Sequence, residues 1–309
     1  MLWVILALIG AIANAAYYII IKRHIVSHDP RVLTALGFLF GGLILLAISS
    51  FQGFPAIGPA YYGAVAASAV LNIVSMVLMF RAMKSSDLSL SMPMLSFTPV
   101  FLIGTSYLLL HEIPSAAGIF GICIIVSGSY VLNISAEHEH FFDPVKSMMK
   151  NRGSWYMLIV AFLFAASINY DKIAMLNSDP VFGMAFTLLI ISGAFIVIVA
   201  VSAKIAGRCS LRSASRDSDA PGHLTGRAFF VRPYIILSVL IGIFAATESV
   251  SINIAYTIQI APYVIAIKRL SIIFMVLYGA ILCAENEIRT RLLGAILMVG
   301  GAVIILLFA

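Results

Sequence analysis

Charge is what this sequence has least of. Of its 309 residues only 10% are Asp, Glu, Lys or Arg, while 62% are apolar. Soluble domains carry roughly 25% charged residues, and 19 Lys+Arg with 13 Asp+Glu cannot cover a soluble fold of this length. That excludes a soluble globular enzyme and a disordered chain. Cysteine is scarce too. Cys123, Cys209 and Cys283 are odd in number and far apart, so they suggest neither a disulfide framework nor a zinc site. The sequence contains no Gly-rich Walker motif, no His-Glu-x-x-His, no nucleophile elbow and no Cys-x-x-Cys. ATP-driven pumping and the familiar routes to a membrane-embedded enzyme therefore lack their residues. The expectation is a protein that is not an enzyme, with no cofactor and no metal. Met1-Leu2-Trp3 also lacks the positive start of a secretory signal, so the apolar run behind it reads as a retained span.

What the sequence has instead is long apolar runs. A hydrocarbon core of about 30 Å takes roughly 20 helical residues. Runs of that order occupy 2–21, 32–50, 58–80, 89–110, 114–134, 155–176, 181–203, 233–259, 262–283 and 292–308. They predict an all-α integral membrane protein of ten transmembrane helices rather than a barrel of short alternating strands. Five charged residues fall inside them: Asp171, Lys172, Glu248, Lys268 and Arg269. Two connections are long. Residues 135–154 carry Glu137-His138-Glu139-His140 and read as a solvated linker, with metal contact as the second reading. Residues 204–232 read as a mobile basic loop, Ser/Arg-rich around Asp217-Ser218-Asp219.

The net charge of +6 suggests a nucleic-acid partner until the basic residues are placed. Sixteen of the 19 Lys+Arg lie in odd-numbered connections, and none lies in the termini or the even-numbered connections. The positive-inside rule puts those sixteen in the cytoplasm and both termini outside a plasma (inner) membrane. The charge is a topology signal, and nucleic acid is not an expected partner.

The chain also repeats. At an offset of 150 residues, Lys22/Lys172, Asp29/Asp179 and Pro30/Pro180 coincide. At an offset of 173, Glu112/Glu285, Gly121/Gly294 and Gly128/Gly301 coincide. Residues 1–134 and 155–309 then form two five-span repeats. Because five is odd, the second enters the membrane from the opposite side. Inverted repeats of this kind give alternating access around a midplane site, which favours transport over a purely structural bundle.

With Ser89–Pro99, His111-Glu112, Gly121 and the matching stretch Ile260–Leu307, the chain resembles the drug/metabolite transporter superfamily, nearest its EamA-type ten-helix permeases. The resemblance covers nearly the whole chain and implies a permease or exporter, without naming a substrate. Many members are thought to have cytoplasmic termini, opposite to the orientation that the charges give here.

Glu248 stands near the middle of its span, where a charge costs roughly 3 kcal/mol on insertion scales. It reads as a proton-coupling or substrate carboxylate, or as half of a structural ion pair. Lys268-Arg269 lies roughly 10 Å into its span. The pair resembles the Lys-Arg that holds the phosphate in sugar-phosphate translocators, and an ammonium with a guanidinium suits a carboxylate or phosphate. The alternatives are snorkelling or a salt bridge to Glu248. Lys172, with Asp171 beside it, and its repeat mate Lys22 read as gate residues or as interfacial lysines. Asn14, Tyr17, Asn72 and Ser96 are candidates for a cavity lining, as are Tyr18, Ser75, Thr98 and Asn169, or else they bond between helices. Pro93 and Pro99 should break the 89–110 helix. Gly118, Gly121, Gly128, Gly294, Gly300 and Gly301 should mark close packing.

The expected protein is a secondary transporter moving a small polar or anionic metabolite by alternating access, ion-coupled or by exchange. Its partners are a small-molecule substrate, H+ or another coupling ion, and membrane lipids, in a monomer or homodimer. A lipid-carrier flippase and a non-transporting membrane scaffold or receptor are the other readings.

Overall fold

The computed structural model describes residues 1–24, 29–85, 92–133, 152–214, 231–275, 278 and 288–308. No strand occurs among them. The helices are α1 (Leu2–His24), α2 (Pro30–Gln52), α3 (Tyr61–Ser85), α4 (Thr98–Leu110), α5 (Ala116–Asn133), α6 (Arg152–Leu176), α7 (Ala185–Ala214), α8 (Val231–Ile258), α9 (Ala261–Lys268) and α10 (Ile288–Phe308). Six of them, α1, α2, α3, α6, α7 and α8, are long and apolar enough to cross a membrane, and α4, α5 and α10 are shorter apolar helices. The ninth apolar run, 262–283, lies partly outside the described residues. The Glu137–His140 cluster, Cys283, Glu285 and residues 215–230 of the basic loop lie wholly outside them.

Polar residues turn inward beside the apolar core, and large apolar ones also face outward. On α6 the buried residues include Ser154, Ser167, Asn169 and Lys172, while Trp155, Ile159 and Phe162 are exposed. Lipid solvates apolar side chains, so polar groups gain by turning inward to find hydrogen-bond partners. Asn169 shows the result. Its Nδ2 donates to Thr105 Oγ1 at 2.9 Å, and its Oδ1 accepts from Ser106 Oγ at 2.6 Å, joining α6 to α4.

Two predicted connections are shorter than expected. The 135–154 linker gives its last three residues to α6, and the 204–232 loop gives residues 204–214 to α7 and 231–232 to α8. A helix need not stop at the membrane surface. Ala, Lys, Leu and Arg carry little helix penalty, and each added residue contributes one more backbone bond. The expected break in 89–110 is present: a 3₁₀ turn, Met92–Phe97, precedes α4, and Pro99 sits in the first turn of α4.

Asp29 N-caps α2 through a 2.9 Å bond from Arg31 N, with Pro30 at the first helical position. One repeat later Asp179 accepts from Val181 N at 2.7 Å and Phe182 N at 2.6 Å, ahead of the 3₁₀ turn Phe182–Met184 that leads into α7. The main pairings are α5 with α10, α3 with α6, α1 with α8, and α2 with both α7 and α8. α5 and α10 cross antiparallel on glycine. A Cβ at Gly128 would stand 2.7 Å from Gly294 O, and one at Gly301 would stand 2.6 Å from Gly121 O. Gly300 faces open space, so it marks no packing contact.

Candidate functional site

α1, α2, α3, α4, α6, α7, α8 and α9 all contribute to a central cavity of about 240 Å³. Its polar lining includes Asn14, Asn72, Asp171, Glu248, Lys268 and Arg269, together with Tyr17, Tyr18, Thr98 and three serines, Ser167, Ser249 and Ser271. Most of the residues singled out in the sequence thus meet in one place. Tyr17 is buried and stacked on Phe38, ring centroids 6.1 Å apart, which fixes the aromatic side of the cavity.

The two cations come from a break in a helix. α9 ends at Lys268, and the chain tightens there: Leu270 N bonds to Ile267 O at 3.0 Å and Ile273 N to Leu270 O at 2.9 Å, both i→i−3. Bonds of this type occur where a helix changes pitch, which places Lys268 and Arg269 at an irregularity facing the cavity.

Glu248 pairs with Lys268 through Oε1, and its Oε2 accepts from Asn14 Nδ2 at 3.1 Å. The salt-bridge alternative for Lys268 is therefore the arrangement found. Arg269 has no ion-pair partner among the described residues. Asp171 has none either; its Oδ1 is met by Ser68 Oγ.

Four candidates lie off the cavity: Ser75, Ser96, Asn169 and Lys172. Ser96 is buried 2.7 Å from Ser129 Oγ, between the 3₁₀ turn and α5. The side chain of Lys22 lies outside the described residues. Lys172 neither lines the cavity nor snorkels: its Nζ is 2.5 Å from Glu112 Oε1 and 3.1 Å from Gln259 O, with the Tyr256 ring 5.6 Å away. Glu112 Oε2 in turn accepts from Ala261 N at 2.9 Å, the first residue of α9. Sequence reading missed this contact, although it had found each residue by its repeat mate. The signal available was that an acid just past α4 and a lysine near the end of α6 fall at the same level of the bundle.

The fold and site define a multi-pass helical membrane protein with a charged central cavity. Residues 1–134 match the EamA-like transporter family. That stretch is similar to an EamA-like transporter domain, in keeping with the drug/metabolite transporter superfamily. No curated protein matches the sequence. Among solved structures 29 chains match. One, described only as the crystal structure of a protein, aligns with 98% of this chain and 95% of its own at a TM-score of 0.73 and 13% identity. At that identity the likeness concerns the fold alone.

Proposed function

We propose that this chain is a secondary transporter that moves a small polar or anionic metabolite by alternating access, ion-coupled or by exchange. The observation that carries the reading is the charge arrangement of the central cavity. Arg269 is a guanidinium with no ion-pair partner among the described residues, at a place where a bare charge is expensive. It is the group available to a carboxylate or phosphate. Lys268 is held by Glu248, and an entering anion competes for it. Substrate binding is then linked to the contact between α8 and α9, with Glu248 as the group released.

Alternating access rests on the inverted repeat of residues 1–134 and 155–309. Several features support that repeat. The α3–α6 pairing has its counterpart in α8–α1, and α4–α6 in α9–α1. Asp29 and Asp179 accept backbone N–H bonds at equivalent places, ahead of α2 and of the 3₁₀ turn that leads into α7. Gly121 and Gly128 meet Gly301 and Gly294, each facing the repeat mate of the other. The Glu112–Lys172 contact lies at the end of the bundle where α10 finishes, as the Ser115 Oγ to Phe308 O bond marks. On the charge-based orientation that end faces outward, and Lys172 is a gate residue of the outer mouth.

Proteoliposomes loaded with radiolabelled organic acids, sugar phosphates or amino acids test the reading. Uptake or exchange of one class is expected, abolished by Arg269→Ala and Lys268→Ala with folding intact. Unchanged flux in both variants overturns the site assignment.

A further inference from the structure

The two carboxylates of the cavity differ in the kind of partner that holds them. Glu248 receives Asn14 Nδ2 and Lys268 Nζ. An amide NH₂ and an ammonium only donate. Both match a carboxylate, and neither can accept from a carboxylic acid.

Asp171 is held by hydroxyls. Its Oδ1 meets Ser68 Oγ, and Ser68 Oγ lies 3.1 Å from Ser167 Oγ, a bond in which either oxygen can donate. Asn72 Nδ2 donates to Ser167 Oγ at 2.5 Å, Ser68 Oγ at 3.2 Å and Ser68 O at 3.0 Å. A hydroxyl both donates and accepts. With Asp171 ionised, Ser68 donates to it. With Asp171 protonated, the acid donates to Ser68 Oγ and the Ser68 proton turns to Ser167. The same atoms satisfy both charge states without moving a helix.

Asp171 has no ion-pair partner among the described residues, although Tyr17 and Tyr18 of α1, Glu248 of α8 and Arg269 line the same cavity. α9 presents Lys268, already engaged by Glu248, and α8 presents Tyr256. α3 contributes Ser68 and Asn72, α4 contributes Thr98 to the same cavity, and the 3₁₀ turn Phe182–Met184 contributes Met184. On its own helix, Lys172 turns away to Glu112.

We propose that Asp171, and not Glu248, is the proton-binding site of the transport cycle, with Ser68 and Ser167 as the reversible hydrogen-bond relay beside it. An O–H bond forms on the Asp171 carboxylate with a proton from water on one side of the membrane. It breaks to water on the other side once the cavity has changed access. This assignment rests on reading the cavity as a transport site.

The test is infrared difference spectroscopy of the full chain in lipid, titrated across neutral pH, following the carbonyl stretch of a protonated carboxylic acid. A titrating band is expected that is lost in Asp171→Asn, kept at a shifted frequency in Asp171→Glu, and kept in Glu248→Gln, with its midpoint moved because Lys268 is freed. Three results overturn the proposal: no titrating band in the unmodified protein, a band lost with Glu248→Gln, or a band displaced by sodium chloride but not by choline chloride. If Asp171→Asn does not fold, the other two variants decide. The readout needs no solute, so its failure leaves the transport reading standing. A chain that protonates at Asp171 but carries no solute fails only the transport reading.

Discussion

Glu112 and Lys172 stand 60 residues apart in sequence and 2.5 Å apart in space, nearly out of contact with solvent. One carboxylate oxygen receives the lysine, and the other receives the first backbone N–H of α9. A helix N-terminus leaves such donors without intrahelical partners and favours negative charge. Glu112 therefore holds α6 and starts α9 at once. α9 is only eight residues long and ends on Lys268, so this contact and the cavity cations share one short rigid element.

Removing one partner of this pair strands the other in a buried setting. Lys172→Met is expected to destabilise the protein by about 3–5 kcal/mol, measured by equilibrium unfolding in detergent. Lys172→Met combined with Glu112→Gln should recover more than half of that loss. Equal losses in the single and double variants would show that the two side chains do not act as a pair.

The α5–α10 crossing is the tightest backbone approach described. Gly128→Ala would place its Cβ 2.7 Å from Gly294 O and 2.8 Å from Met298 N, so the helices must separate. A loss of about 1–3 kcal/mol is expected. Gly300→Ala, with nothing within 4 Å, should leave the melting temperature unchanged. A Gly128 variant as stable as the Gly300 variant would contradict the packing.

Glu248 and Lys268 should separate stability from transport. Both are partly exposed to the cavity, at 18% and 25%, so the loss in Lys268→Met is smaller than at Glu112–Lys172, about 2 kcal/mol. The double variant Lys268→Met/Glu248→Gln should regain stability, because no bare charge remains, yet still fail to transport. Transport restored along with stability would make the pair structural only.

Much of the architecture is legible in the sequence because lipid imposes one rule on every span. Long apolar runs predict helices whether or not their neighbours are known, and Asp29-Pro30 and Asp179-Pro180 mark helix starts by local chemistry alone. Glu248, Lys268 and Arg269 stand out for the same reason, since a charge within an apolar run has to be accommodated. The ends of α6 and α7 were misjudged because polar composition at a membrane surface suits helix and loop equally.

Composition and periodicity by themselves determined that this is a helical membrane protein, and which of its charges lie within the apolar spans. They could not say which of those charges meet. Partner choice depends on the level and facing of helices distant in the chain, and no local energy encodes that. Only the tertiary structure decided that Lys172 goes to Glu112 instead of the surface, that Lys268 goes to Glu248, and that Arg269 and Asp171 are left facing the cavity with no ion-pair partner among the described residues.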